Sequence, residues 1–263
     1  MLKSIFITLF LFASSQIFAS KSDTIWNQTD KQGRKQGYWR VSYESGKTKY
    51  IGFFKDNKPL GEMKRFYDNG VIKAIQFFSD GKKSRAKLFY QNGELAAEGN
   101  FIESLKDSVW KYYSYYDKTL KLEENYIKGS KEGYSKKYYA QNQIAEEIEW
   151  HNNLKHGPWK QYYNDGKIKL NANYFNDSRN GSFLTYYPTG KPEMKGTFQN
   201  NLMQGEWIYY DETGNVKSKI TYINGVAQNA GELQKKEDAY FKLIDENKGK
   251  FPEPDENNIL LNK

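Results

Sequence analysis

The chain contains no cysteine and only two histidines in 263 residues. The first absence excludes disulfides, thiolate metal ligands and a cysteine nucleophile. The second leaves little from which to build a metal site. His151 and His156, five residues apart, suit neither one face of a strand nor a helical ligand pair. No Gly-x-Ser-x-Gly elbow or glycine-rich phosphate loop is present. The acidic pairs Glu123–Glu124 and Glu146–Glu147 are adjacent in strand-like sequence, so their carboxylates point to opposite faces and form no acid/base couple. The reading is a non-enzymatic protein with no catalytic residue, metal or cofactor. Hydrophobic residues are only 38% of the chain, which argues for a thin structure rather than a thick core.

What is abundant is aromatic side chains, 17% of the chain, and glycine, 21 residues, and both recur on a fixed frame. It is clearest from Gly157 to Tyr174: glycine, an aromatic two residues on, aromatics at five and six, glycine at nine, an aliphatic at eleven and an aromatic at seventeen. Repeats on this frame start at Gly37, Gly61, Ser84, Ser108, Gly133, Gly157, Gly181 and Gly205, at intervals of 24, 23, 24, 25, 24, 24 and 24 residues. A short fixed period marks a stacked array. Aromatic and β-branched residues between Asn, Asp and Gly clusters make each repeat two short strands and two turns. The expected fold is all-β: an elongated single-layer antiparallel meander of eight β-hairpin repeats over residues 37–228. A lead-in segment, 20–36, precedes it, and a C-terminal helix and tail, 229–263, follow. The helix, expected over Glu232–Asn247, should cap the last edge strand, since an open edge invites aggregation.

Taking Asp165–Gly166 as a two-residue hairpin turn sets a register. Tyr163 then faces Ile168, Gln161 faces Leu170, Trp159 faces Ala172 and Gly157 faces Tyr174. Large rings meet small partners on this side, here called the Trp face, as in Trp39 with Gly52 and Phe183 with Gly196. A ring crossing each repeat-starting glycine would cover its bare backbone. On the opposite, outer side the same register pairs position five with position twelve. That yields a strip of Phe66 with Lys73, Tyr113 with Lys121, Tyr162 with Lys169, and Tyr210 with Lys217, the candidate binding residues for an acidic or sugar-rich partner. Repeated weak contacts along an extended ligand would add by avidity.

The first 19 residues read as a signal peptide: Lys3, the apolar stretch Ile5–Ala13 and the small-residue end at Ala19 match the three expected regions. The apolar stretch breaks at Ser14–Gln16, short of the ~20 residues a membrane span needs, so no transmembrane span is expected after cleavage. The expected location is periplasmic or extracellular. A formal charge of +8 in an exported protein points to a protein or an anionic envelope polymer or lipid surface rather than to nucleic acid.

The frame Gly-x-Trp-x-x-Tyr-Tyr-x-x-Gly-Lys at Gly157–Lys167, returning at Gly181, resembles the bacterial variant of the MORN repeat. Repeat three departs from it with Ser84 and Ala86, and repeat four with Ser108 and an inserted residue. The resemblance implies hairpins joined in an elongated sheet that mediates protein or lipid contacts, with no shared catalytic residues. Some bacterial members carry an antitoxin label, which implies as an alternative an immunity-type protein neutralising a specific partner.

Overall fold

The structure, a computed structural model, describes residues 24–228 and 233–246; the expected signal segment lies outside them. The described residues form 19 antiparallel strands in one open sheet, in which each longer strand pairs with the longer strands before and after it in the chain. Sixteen are the expected hairpin strands. The other three are the two-residue pieces Gln28–Thr29, Ser130–Lys131 and Val226–Ala227.

Alternation decides the faces. In the return strand of repeat seven, Pro192–Gln199, the buried residues are Met194, Gly196 and Phe198, while Lys195, Thr197 and Gln199 are exposed. Trp110, Phe183 and Trp207 are fully buried on the Trp face. Two strand glycines make room for them. A Cβ at Gly99 would lie 2.4 Å from the Trp110 ring, and one at Gly196 would lie 2.1 Å from Trp207. The expected pairs Gly157–Tyr174, Trp159–Ala172 and Gln161–Leu170 are all present.

The turns exchange the roles expected of them. Asp165–Gly166 is not a two-residue turn: Gly166 N–H donates to the Tyr163 carbonyl at 2.9 Å, and only Gly166 of that loop is left-handed, at φ 83°. A turn followed by a bulge results, so Tyr162, not Tyr163, lies opposite Ile168. The two-residue turns are those between hairpins. At Asp56–Asn57, Asn152–Asn153, Asn176–Asp177 and Asn200–Asn201 both residues have positive φ, which Asn and Asp tolerate better than other side chains.

The repeat-starting glycine also has a different reason. Gly181 has φ 90° and sits where its strand carries extra residues relative to the preceding hairpin, between Ala172–Phe183 and Tyr174–Arg179. A Cβ there would meet nothing within 4 Å, so the glycine answers to backbone conformation and not to a covering ring. Repeat three confirms this. Its Ser84 pairs with Phe78 without a register shift, and the preceding interval is the 23-residue one.

Two ladders stitch the hairpins together. Along the hairpin-turn edge, the position-six tyrosine donates its hydroxyl to the position-five carbonyl of the next repeat. The links are Tyr43 to Phe66, Tyr67 to Phe89, Tyr90 to Tyr113, Tyr139 to Tyr162, Tyr163 to Tyr186 and Tyr187 to Tyr210, at 2.6–2.8 Å. Along the other edge, Asn57, Asn153, Asp177 and Asn201 accept the backbone N–H of Lys35, Lys131, Lys155 and Arg179 at 2.7–2.9 Å. Between repeats four and five both ladders lapse: Ser114 stands in place of the tyrosine and Lys128–Gly129 in place of the Asn turn. Two separate buried clusters flank this joint, one from Ala74 to Tyr126 and one from Ile148 to Tyr222.

The helix, α1 (Leu233–Glu246), does not cap the edge strand. It lies on the Trp face, with the Phe241 ring 5.8–6.0 Å from those of Phe183, Phe198 and Trp207. Tyr240 donates to Glu193 at 3.1 Å and Asp245 approaches Arg179 at 3.6 Å. The apolar rings of repeats seven and eight offered more area to bury than the polar edge did. No described helix is long and apolar enough to cross a membrane.

Candidate functional site

The expected ring-and-lysine strip is rearranged by the bulge in each hairpin turn. Phe66, Tyr113, Tyr162 and Tyr210 lie opposite Ile72, Leu120, Ile168 and Val216. The bulged extra residues are Lys73, Lys121, Lys169 and Lys217, so no ring of the strip faces its lysine. Instead the ammonium groups of Lys49, Lys73 and Lys169 stand 5.4–5.8 Å from the position-six rings of Tyr43, Tyr67 and Tyr163. Lys121 pairs with Asp117 at 3.0 Å. The eight residues still form a row along the hairpin-turn edge.

The outer-face tyrosines of the middle repeats have other partners. Tyr113, Tyr138 and Tyr162 donate to Glu98, Glu123 and Glu147 at 2.7–2.8 Å. The same carboxylates meet Lys87, Lys111 and Lys136 at 3.3–3.9 Å. Burial, reinforced by the Glu147 carboxylate, pushes Tyr162 up to about 12, and Tyr113 and Tyr138 are raised for the same reasons. A carboxylate locked between a neutral phenol and an ammonium is a structural cross-link, not an acid or base poised for transfer.

His151 contacts Glu132 at 2.8 Å and His156 contacts Asn176 at 3.1 Å. Among the described residues no group of three His, Asp or Glu could hold a metal.

A concavity lies on the Trp face over repeats four to six, with a volume of about 370 Å³. Its origin is legible in the frame. Position two, where Trp110, Trp159, Phe183 and Trp207 place their rings, is Ser135 in repeat five, and the missing ring leaves a hollow. Two carboxylates occupy positions that are elsewhere mostly apolar. Glu124 stands where repeats six and seven have Ala172 and Gly196, and Glu146 where they have Leu170 and Met194. Each is paired: Glu124 with Lys131 at 2.5 Å and the Tyr126 hydroxyl at 2.6 Å, Glu146 with Lys137 at 3.0 Å and Gln161 at 2.9 Å. Burial alone would raise the Glu146 carboxyl, but the Lys137 charge and hydrogen bonds from Gln161, Lys137 and Trp159 outweigh it and hold it below the usual range. Trp150 forms one wall, with Lys131 and Lys155 at 4.8 and 5.8 Å from its ring. Tyr240 and Leu243 of α1 reach the rim. Sequence reasoning missed this site; the signals were a serine at a tryptophan position and glutamates on the apolar side.

Six segments, 35–56, 59–80, 85–103, 155–176, 179–200 and 203–224, match the MORN repeat variant family. No curated protein matches the chain. The unmatched stretch, 104–154, contains the joint without ladders and most of the polar residues of the hollow. Repeats of this kind are generally binding or scaffold modules, and the matches fall on six of the eight hairpins of the sheet, so over a little under half of its length the chain is similar to MORN-repeat proteins.

Proposed function

We propose that the protein is an exported, non-enzymatic scaffold that binds an extended acidic or sugar-rich partner of the cell envelope, such as a protein, glycan or anionic surface, along its hairpin-turn edge. The observation that carries this reading is the row of bulged lysines. The bulged residue is lysine in repeats one, two, four, six and eight, and Ala96, Ala145 or Glu193 in the others. A cation therefore recurs along the row with gaps between, and the tyrosine ladder holds the turns at a fixed spacing on either side of the joint between repeats four and five. Each ring-supported ammonium contributes about 0.5–1 kcal/mol at an exposed site. Affinity therefore has to come from several turns engaging one extended partner. Export is supported by the basic, apolar and small-residue segments of residues 1–19, and N-terminal sequencing of secreted material starting at Ser20 would agree with it.

The test is a triple variant, Lys73→Gln, Lys121→Gln and Lys217→Gln, which leaves Lys169 intact because it also borders the hollow. Retention on envelope fractions should fall, and the difference from wild type should shrink as salt rises. Unchanged retention at low salt, with the circular dichroism spectrum preserved, would remove this edge as the binding surface. Capture of a single stoichiometric protein, insensitive to salt, would favour the immunity-type alternative.

A further inference from the structure

We propose that the hollow at Ser135 binds one sugar residue carrying a carboxylate or phosphate. Three observations lead there, and only the last shares a residue, Lys169, with the hairpin-turn edge.

The first is shape. The void replaces an indole present in repeats four, six and eight, at Trp110, Trp159 and Trp207, so it suits a ring-sized occupant between neighbouring rings. Its volume, about 370 Å³, falls at the small end of the ~300–1,000 Å³ usual for ligand sites.

The second is polar groups left waiting. Ser135 is 5% exposed, yet its hydroxyl has no hydrogen-bond partner, and neither does the buried indole N–H of Trp150. Both border the hollow. A buried polar group without a partner costs roughly 1–3 kcal/mol, and a hydroxylated ligand supplies what each needs. A purely apolar ring does not.

The third is charge. Lys131, Lys137, Lys155 and Lys169 line the hollow together with Glu124 and Glu146, so ammonium groups outnumber carboxylates on its wall. The two ion pairs, Lys131–Glu124 and Lys137–Glu146, offer donor and acceptor side by side, as vicinal hydroxyls require. That lining favours an anionic substituent over a cationic one, on the wall formed by Lys155 and Lys169, where Lys155 lies between the Trp150 and Tyr174 rings at 5.8 and 5.3 Å.

The experiment follows the indole N–H resonances of the 15N-labelled protein, which has six tryptophans, with the Trp150 signal identified by its loss in Trp150→Phe. The probes are glucuronate, glucose 1-phosphate, glucose, inorganic phosphate and indole. Glucuronate or glucose 1-phosphate should shift the Trp150 signal saturably, with glucose about tenfold weaker, the factor that one charge-assisted hydrogen bond supplies. The two anionic sugars distinguish a carboxylate from a phosphate source. Ser135→Trp restores the ring that other repeats carry; it should fold and lose the response. Should that variant fail to fold, Lys155→Gln provides the second arm, with an expected loss of roughly tenfold for the anionic sugars and little change for glucose. A shift with phosphate as large as with the sugars would mean an adventitious ion only. A response to indole alone, equal affinity for glucose, or no saturable shift with any probe would each overturn the assignment. The lysine-to-glutamine triple variant at the turn edge should leave this titration unchanged, so the two readings fail separately.

Discussion

The joint between repeats six and seven and the joint between repeats four and five use the same backbone plan with different side-chain support. At the first, Tyr163 reaches the Tyr186 carbonyl and the intervening turn places Asp177 under the Lys155 N–H. At the second, Ser114 and Gly129 occupy the equivalent places, and Tyr138 with Glu123 at 2.8 Å is among the few side-chain links across it. The buried clusters end on either side of that joint. A regular array thus contains one seam, and the hollow opens beside it.

The sharpest way to break the comparison is to damage one cluster and ask whether the other notices. Gly99→Ala drives a methyl into Trp110, and Gly196→Ala drives one into Trp207. Each should cost about 2–3 kcal/mol. If the seam divides the sheet into two cooperative units, either variant will separate denaturant unfolding into two transitions, as repeat arrays allow. A single transition at a lower midpoint would mean that the seam transmits stability fully.

A smaller effect is expected from the tyrosine ladder. Tyr163→Phe should lower stability by about 1 kcal/mol, the value of one hydrogen bond, whereas Ser114→Ala should change it by less than ~0.5 kcal/mol. Equal losses would show that Ser114 supports its joint in another way. Smaller again is the turn ladder: Asn201→Ala, which frees the Arg179 N–H, should cost about 0.5–1 kcal/mol, read from the same denaturation curves.

The least effect concerns alkaline pH. Tyr162 titrates near 12 in the folded protein against about 10 in an unfolded chain. A raised acid favours its neutral form on folding, so this contribution is complete below pH ~10 and is lost as pH rises toward 12. Stability measured across that window should fall, and Tyr162→Phe should flatten part of the fall. Because the phenol is partly exposed, solvent screening keeps the effect modest.

The 24-residue period and the pairing of large with small residues, as in Trp159 with Ala172, were readable because each had one physical cause: alternation on a strand and a large ring needing a small neighbour. The turn types were not. Asp-Gly and Asn-Asp both satisfy left-handed turns, and choosing between them required knowing which residue donates to which carbonyl, as Gly166 does to Tyr163. That one-residue difference moved Lys169 from facing Tyr162 to standing over Tyr163. The helix was legible as a helix but not its seat, because its apolar residues fit an edge or a face equally well. The hollow escaped notice for a further reason: it is an exception to the frame at Ser135, and an alignment that looks for agreement discards exceptions.

The tyrosine ladder also gives the array a direction of growth. Every unit before the last, repeat four excepted, carries the hydroxyl that grips its successor, and the last unit has none: Asp211 takes the tyrosine's place and spends its carboxylate on Thr213 and Asn215 within its own turn. A ninth unit appended after repeat eight would find no donor waiting. A 24-residue copy inserted between repeats six and seven would bring both a hydroxyl and a carbonyl with it. Such proteins can lengthen from within more readily than from this terminus.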